Sequence, residues 1–312
     1  MSTKEVKRKK IGLALGSGAS RGWAHIGVIR TLESWGIYPD VVAGCSIGAL
    51  VGGALASGKL QDLEVWASSL TRREITRCFD LNFERSGGPI KGERLILWLK
   101  KMGFETNIEE MKLPFCAIAT DLRSGQEVLI KEGSFMSALR ASGSIPGFLT
   151  PVQHNGQWLV DGGVVNPLPV TACRNLGADI VIAVNLNAGV LEASDWNSSK
   201  RYASLLASVY EKSKSLLPES YVTMLDSLFD AKPSQKNERH PRYFEVIYSM
   251  SAIMQEQILN LRLQIDPPEI RINPDLARLN LFDFDRAGEG IHEGIRATQQ
   301  HKKEILKLVS EL

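Results

Sequence analysis

A single serine stands between two glycines where an apolar run ends. Residues 41–53 read VVAGCSIGALVGG, in which Gly44, Ser46 and Gly48 form the pattern G-x-S-x-G. A nucleophile at a sharp strand-to-helix turn projects its oxygen out of the backbone, and the turn leaves no room for side chains two residues away. The following helix directs its N-terminal amides towards developing negative charge. The pattern predicts Ser46 as an acyl-transfer nucleophile; the competing interpretation is a tight glycine turn with a capping serine.

A second glycine-rich turn lies near the start of the chain. The stretch IGLALGSGASRGWAHIGV places Gly16, Gly18 and Gly22 between an apolar run and a helical pattern. Such a loop can cradle a dinucleotide pyrophosphate or form an oxyanion hole from backbone amides. Dinucleotide binding requires an acid at the tip of the next strand, and that strand ends at Ser46 instead. We therefore expect an oxyanion hole, with Arg21 holding the loop or stabilising charge nearby.

The proton of a serine hydroxyl needs an acceptor. In WLVDGGVVNP a short apolar run ends at Asp161, and Gly162 and Gly163 follow where a backbone can approach closely. Burial would raise the pKa of this carboxyl above its ordinary value of about 3.9 and make it a stronger base. Asp-Gly is also common in plain turns. None of the five histidines has a persuasive setting, although His292 stays open as the base of a Ser-His-Asp triad.

Composition excludes several classes of protein. The chain has 312 residues, of which 44% are hydrophobic and 23% charged, as expected of a folded α/β protein. Its net charge is +2, but residues 1–10 alone carry +4, which leaves about −2 for the rest. A nearly neutral body argues against nucleic-acid binding. The four cysteines show no CxxC spacing, which favours a reducing compartment, and no ligand cluster indicates a metal or organic cofactor.

The order of predicted elements indicates the fold class. Helical patterns separate most of the apolar, β-branched runs, which predicts a mainly parallel sheet covered by helices on both faces. The dipeptide Asn155-Gly156 predicts one local antiparallel hairpin. The predicted strands are Ile11–Leu15, Val41–Cys45, Phe115–Thr120, Trp158–Val160, Ile180–Leu186 and Glu269–Ile272.

We expect a basic flexible tail over residues 1–10 and a single domain over residues 11–312. Within it, residues 187–243 are predicted to be a helical or loop insertion or a lid, and the C-terminal residues a helix. An apolar stripe from Tyr221 to Phe229 either packs on the body or faces a membrane. No apolar run reaches the length of a membrane span. We therefore expect a cytoplasmic protein whose basic tail can contact anionic lipid at the inner membrane surface.

Together these stretches resemble the conserved blocks of patatin-like phospholipases. LALGSGASRGWAHIGV, GCSIG and DGG occur in the order of that family, and ALRASGSIPGFLTPV, Ala138–Val152, is similar to the block before its aspartate strand. The resemblance extends over about residues 10–186 and is greatest to the compact bacterial RssA-type members. It implies a three-layer α/β/α fold with a mainly parallel central sheet.

The resemblance also implies a mechanism. It assigns Ser46 as nucleophile, Asp161 as base, and the amides around Gly18 and Ala19 as oxyanion hole, with no cofactor and no metal. Members often have an unbroken glycine run in this loop, whereas this chain has Ser17 and Ala19. The implied function is phospholipase A or lysophospholipase activity on a phospholipid or other acyl-ester lipid. A partner-binding regulator with low turnover and a Ser-His-Asp esterase are the alternatives.

Overall fold

A computed structural model describes residues 8–78, 80, 82, 87–104, 106–189 and 243–310. Within these ranges the strands are β1 Ile11–Leu15, β2 Val41–Cys45, β3 Phe115–Asp121, β4 Glu127–Ile130, β5 Val152–His154, β6 Gln157–Asp161, β7 Ile180–Val184 and β8 Ile270–Ile272. They form one sheet in the order β5-β6-β3-β2-β1-β7-β8, with β4 paired to β3. Strands β1, β2, β3, β7 and β8 are parallel, while β4, β5 and β6 form antiparallel pairs.

Helices cover both faces of this sheet, which confirms the predicted three-layer α/β/α architecture. Alternate residues of a strand point to opposite faces: Leu13 and Leu15 belong to one apolar core, and Ala14 belongs to the other. The helices are α1 Trp23–Ser34, α2 Ile47–Ala56, α3 Leu60–Ser69, α4 Arg72–Cys78, α5 Glu93–Lys101, α6 Phe135–Ser142, α7 Val170–Asn175, α8 Tyr243–Ile265, α9 Ala287–Gln300 and α10 Lys302–Ser310.

Most predicted elements occur, with some changes of boundary. Strands β1 and β2 have the predicted bounds, whereas β7 ends at Val184 instead of Leu186. The predicted hairpin is present: Asn155 and Gly156 adopt φ values of 47° and 80°, the left-handed conformation that a two-residue turn requires. The C-terminal helix is divided at His301 into α9 and α10. Strand β4 was not predicted.

The pairing of β3 brings two distant strand ends together. Strand β4 occupies one edge of β3 at residues 117–120, so β2 and β6 must both pair with the other edge. Along that edge Cys45 lies opposite Ile118, and Asp161 lies opposite Ala119. The last residue of β2 and the last residue of β6 are therefore neighbours, although they are far apart in sequence.

Several predictions fall on residues outside the described ranges. They are the apolar stripe from Tyr221 to Phe229 and most of the 187–243 insertion. At the amino end, residues 1–7 lie outside the description, whereas Arg8 forms an ion pair with Asp40 at 3.0 Å. Within the described helices, none has both the length and the apolar character needed to cross a bilayer.

Helices α1 and α9 pack closely at a pair of glycines. A Cβ atom built on Gly294 would lie 2.0 Å from the carbonyl oxygen of Ala24, and one built on Gly27 would lie 2.0 Å from that of Ile291. Because both obstacles are backbone atoms, a rotamer change cannot relieve the clash. These two glycines allow α9 to cover α1 and the glycine loop that precedes it.

We expect Gly294→Ala to lower the free energy of unfolding by about 1–3 kcal/mol, as overpacking usually does. Gly288→Ala on the same helix is the matched control, because a Cβ atom there has no neighbour within 4 Å, and it should leave stability unchanged or slightly raised. Urea denaturation of both variants measures the difference. An equal effect of the two substitutions would refute the close contact between α1 and α9.

Candidate active site

Ser46 lies at the turn from β2 into α2, as the glycine pattern predicts. Its backbone has φ 56° and ψ −118°, a conformation that non-glycine residues rarely adopt, and α2 begins at the next residue. Such strain is typical of a nucleophile elbow, where it presents the side chain away from the sheet. The side chain is largely buried. Its backbone N–H donates to the hydroxyl of Ser142 at 2.8 Å, which fixes the turn from the α6 side.

The flanking glycines are required by close backbone contacts. A Cβ atom on Gly44 would lie 2.2 Å from the carbonyl oxygen of Gly48, and one on Gly48 would lie 2.2 Å from that of Leu15. At Gly22 it would lie 2.1 Å from the side chain of Ile47. Any side chain at these positions would push the elbow and the first glycine loop apart.

Asp161 ends β6 next to the elbow. Its backbone is fixed on both sides, because its N–H donates to the carbonyl oxygen of Ser144 at 2.9 Å and its carbonyl oxygen accepts from Thr120 Oγ1 at 2.9 Å. The carboxylate Oδ1 accepts from Gly163 N–H at 2.7 Å and, more weakly, from Cys45 Sγ at 3.9 Å. At Gly162 a Cβ atom would lie 2.4 Å from a β3 carbonyl oxygen, so glycine allows the turn to approach β3.

Burial makes Asp161 a stronger base than an ordinary aspartate. Desolvation raises its pKa to about 6, and this effect outweighs the lowering by the hydroxyl of Ser46, the amide of Gly163 and the thiol of Cys45. Ser46 and Asp161 line the same cleft. Hydrogen bonds between catalytic groups often form or shorten only when substrate is bound.

Two adjacent amides of the glycine loop have no hydrogen-bond acceptor among the described residues. The N–H groups of Gly18 and Ala19 donate to no described residue, whereas those of Ser17 and Ser20 donate to carbonyl groups at 2.9 Å and 3.0 Å. Ala19 adopts φ 49° and lines the same two cavities as Ser46. Buried amides are nearly always paired, and these two N–H groups can donate to a developing oxyanion.

Arg21 fixes this loop to the C-terminal part of the chain. Its Nε donates to the carbonyl oxygen of Leu279 at 3.0 Å and its Nη1 to Asn187 Oδ1 at 3.5 Å, while its backbone N–H donates to Gly18. The amide of Arg21 is thus occupied, in contrast to those of Gly18 and Ala19. Gly16 at the start of the loop donates to a β7 carbonyl, which anchors the loop to the sheet.

The described histidines lie in other settings. His25 is fully buried, with Nε2 2.9 Å from the carbonyl oxygen of Gly16, and burial lowers its pKa to about 4, so it is neutral at pH 7. His154 contacts Ser137, and His301 pairs with Glu304. Neither of these, nor His292 on α9, lines a cavity with Ser46. His240 lies outside the described residues.

Two cavities meet at Ser46. The apolar cavity, of about 180 Å³, is enclosed by α2, α3, α5 and α6. The Asp161 cleft, of about 240 Å³, extends from Ser46 to Asp161 and is partly covered by α8. Both contain Ser46, Ala19, Ile145 and Phe282.

The two cavities differ in their lining. The apolar cavity is lined by side chains that include Trp23, Leu50, Trp66, Leu70, Leu95 and Leu139. The polar side chains of the Asp161 cleft include Ser17, Arg21, Asn187, Ser251, Gln255 and Glu256.

A strained serine at a strand-to-helix turn of a covered parallel sheet is the arrangement typical of serine hydrolases with an α/β fold. Comparison with known proteins narrows this class. The patatin-like phospholipase family matches residues 13–174, about half of the chain and including both Ser46 and Asp161. The chain therefore belongs to the patatin-like phospholipase family.

Relatives of known sequence are similar over the same part of the chain. An uncharacterized NTE family protein of Mycobacterium tuberculosis is 40% identical over 178 residues, which are 57% of this chain and 49% of that protein. Lysophospholipase NTE1 of Mycosarcoma maydis is 35% identical, and human patatin-like phospholipase domain-containing protein 6 is 32% identical. Each of these also matches 57% of this chain, but only 10% and 13% of their own lengths. The chain spans about half of the mycobacterial relative and a small part of the others.

Some polar groups of the site were not predicted from the sequence. Ser142 lies in the block ALRASGSIPGFLTPV, so the resemblance indicated its neighbourhood without its contact to Ser46. Asn187 follows β7, beyond the motifs. Gln255 lies on α8, whose sequence shows only an apolar helical pattern, and no local signal distinguishes it from the exposed glutamine two residues later.

The raised pKa of Asp161 predicts a stability difference that depends on pH. The folded chain holds this proton more tightly than the unfolded chain, so the favourable contribution is present below about pH 4 and is lost as pH rises through 6. The amide side chain of Asp161→Asn does not ionise, so the stability of this variant does not fall in this way as pH rises. Relative to the wild type, the variant should therefore gain about 2 kcal/mol of unfolding free energy between pH 4.5 and pH 8. Urea denaturation at the two pH values measures it, and a stability difference independent of pH would contradict the buried ionised carboxylate.

Proposed function

We propose that this protein is a serine lipid acyl hydrolase of the phospholipase A or lysophospholipase type that acts through a dyad of Ser46 and Asp161. The observation that carries the proposal is the shared edge of β3, where the strand ends that bear the two residues meet. The amides of Gly18 and Ala19, which donate to no described residue, lie in the same cleft as Ser46. Membership of the patatin-like phospholipase family supports the same reaction class.

The first half-reaction forms an acyl-enzyme. Ser46 Oγ attacks the ester carbonyl carbon as its proton passes to the carboxylate of Asp161. The oxyanion that develops is held by the amides of Gly18 and Ala19, together with the N-terminal end of α2. The tetrahedral intermediate collapses, the bond from carbon to the alcohol oxygen breaks, and the alcohol leaves with the proton from Asp161.

The second half-reaction reverses these roles with water. Asp161 takes a proton from a water molecule, which attacks the acyl carbon of the ester on Ser46. The bond from carbon to Ser46 Oγ then breaks, the fatty acid leaves, and the proton returns to Ser46. A pKa near 6 suits this cycle, because the carboxyl is ionised at pH 7 yet is a better proton acceptor than an ordinary aspartate.

The two cavities support a division of the substrate at Ser46. An acyl chain fits the apolar cavity, where each buried methylene contributes about 0.8 kcal/mol, and the alcohol part then occupies the Asp161 cleft. The apolar cavity on one side of Ser46 and the polar side chains of the Asp161 cleft favour an ester whose alcohol part is polar, such as a lysophospholipid. A relative that carries the name lysophospholipase supports this assignment.

Contact with a lipid surface forms part of the proposal. On α8, Met250, Ile253 and Met254 are each about half exposed, and Met254 also lines the mouth of the Asp161 cleft. Such a face can rest on a lipid surface and admit substrate to the cleft. A cytoplasmic location at the inner membrane surface, the single-domain division and the likeness to RssA-type proteins stay predictions.

We expect Ser46→Ala and Asp161→Asn each to lower kcat for hydrolysis of a lysophosphatidylcholine by about a thousandfold or more, because both half-reactions need both groups. Release of fatty acid from micelles of defined composition measures the rate, and circular dichroism checks the fold. His292→Gln is the control and should keep wild-type turnover. Full activity of either dyad variant would contradict the mechanism, and a folded wild type without turnover would favour a partner-binding regulator.

The pH dependence of turnover follows from the ionisation of Asp161. Because the base must be a carboxylate, kcat/KM should be constant above about pH 7 and should fall tenfold per pH unit below a pKa of about 6. Initial rates measured with a soluble short-chain ester between pH 4.5 and pH 8.5 give the profile. An inflection near pH 4 would mean that burial does not raise the pKa of the catalytic group.

A further inference from the structure

We propose that Gln255 on α8 binds the alcohol part of the substrate and makes the site selective for esters that carry a free hydroxyl on the carbon next to the ester-bearing carbon. This inference rests on the proposed function, since it assigns a binding role in the same cleft. Gln255 lies outside the region 13–174 that matches the family, in a helix that covers the Asp161 cleft opposite Asp161.

The orientation of the Gln255 amide is fixed by its neighbours. Arg21 can only donate, so its contact at 3.5 Å identifies the acceptor oxygen of Asn187. Asn187 Nδ2 then faces the backbone oxygen of Ser17 at 3.3 Å and Gln255 Oε1 at 3.5 Å. Ser17 Oγ donates to the same Oε1 at 3.2 Å. Ser17 and Asn187 therefore both donate to Oε1 of Gln255, and the Nε2 of the same amide group points away from these two residues.

That direction is towards the catalytic base. A Cβ atom built on Gly163 would lie 2.9 Å from Gln255 Nε2 and 3.0 Å from Asp161 Oδ1. The glycine therefore leaves a small space that the amide and the base share. Gln255 Nε2 donates to no described residue, so within the described structure both of its N–H groups can donate to a ligand in this space.

The geometry of the reaction places the alcohol of the substrate in the same space. When the acyl chain enters the apolar cavity, the leaving oxygen must lie near Asp161, which returns the proton to it. A hydroxyl on the adjacent carbon then lies within reach of Gln255 Nε2. Most of the remaining wall is apolar, including Ile145, Phe148 and Val164, so an ester without the hydroxyl leaves this donor unpaired. A site built to bind a hydroxyl rejects the analogue that lacks it.

The test compares two esters that differ only in this hydroxyl: 1-acyl-glycerophosphocholine and its 2-deoxy analogue with the same acyl chain. We expect the wild type to prefer the hydroxy ester by about 10- to 100-fold in kcat/KM. Gln255→Met, which has similar size but no hydrogen-bonding group, should reduce this preference to less than about threefold. Gln257→Met is the matched control, because Gln257 lies on the exposed side of α8, and it should keep the wild-type preference.

A second variant keeps the test decisive if Gln255→Met does not fold. Gln255→Glu retains an acceptor for Ser17 and Asn187 but removes the donor, so it should also lose the preference. Its negative charge near Asp161 should move the pH profile to higher pH. A wild-type preference retained by either folded variant, or no preference in the wild type, would overturn the role of Gln255. If the wild type hydrolyses neither ester, the proposed function itself is overturned.

Discussion

The whole site depends on one edge of β3, which pairs first with β2 and then with β6. Parallel pairing brings the end of β2 to Ile118, and antiparallel pairing brings the end of β6 to Ala119. The hydroxyl-bearing turn and the acidic residue therefore meet although β2 and β6 do not pair with each other in the sheet. The β5–β6 hairpin is what reverses the chain so that Asp161 arrives at this point from the opposite direction.

Burial makes Asp161 a better base and also lowers the stability of the folded protein at this site. The same exclusion of water that raises the pKa of Asp161 to about 6 makes its charged form unfavourable at neutral pH. The strained backbone of Ser46 adds to this cost, as do the amides of Gly18 and Ala19, which have no acceptor in the described part of the chain. Two apolar cores, one on each face of the sheet, offset it. A fold with a large buried sheet can tolerate a site that is locally unfavourable.

The sequence predicted the elements that have a strong local signal. Strands β1 and β2 are continuous apolar runs because both of their faces are buried, and Asn155-Gly156 has the backbone conformation that its turn needs. Strand β4 was missed because Glu127–Ile130 is short and only partly buried. The C-terminal helix was predicted as one segment, since the break at His301 leaves the helical pattern largely intact.

The residues of the proposed dyad could be predicted because Ser46 follows β2 between Gly44 and Gly48, and Asp161 ends β6 directly before two glycines. The residues that surround the proposed dyad could not be predicted. The contact of Ser142 with the elbow and the approach of Gln255 to Gly163 arise from packing between elements that are remote in sequence. The division into an apolar cavity and an Asp161 cleft likewise depends on how several helices cover the sheet edge. Such properties have no local pattern.

The central claim is that Ser46 is a nucleophile activated by the carboxyl of Asp161. Labelling with a fluorophosphonate, followed by peptide mass spectrometry, tests it most directly, because the reagent reports the nucleophile without requiring the natural substrate. The account predicts one adduct, on the peptide that contains Ser46, and labelling slower by about a hundredfold or more in Asp161→Asn. An adduct on another residue, or labelling of folded Asp161→Asn at the wild-type rate, would contradict it.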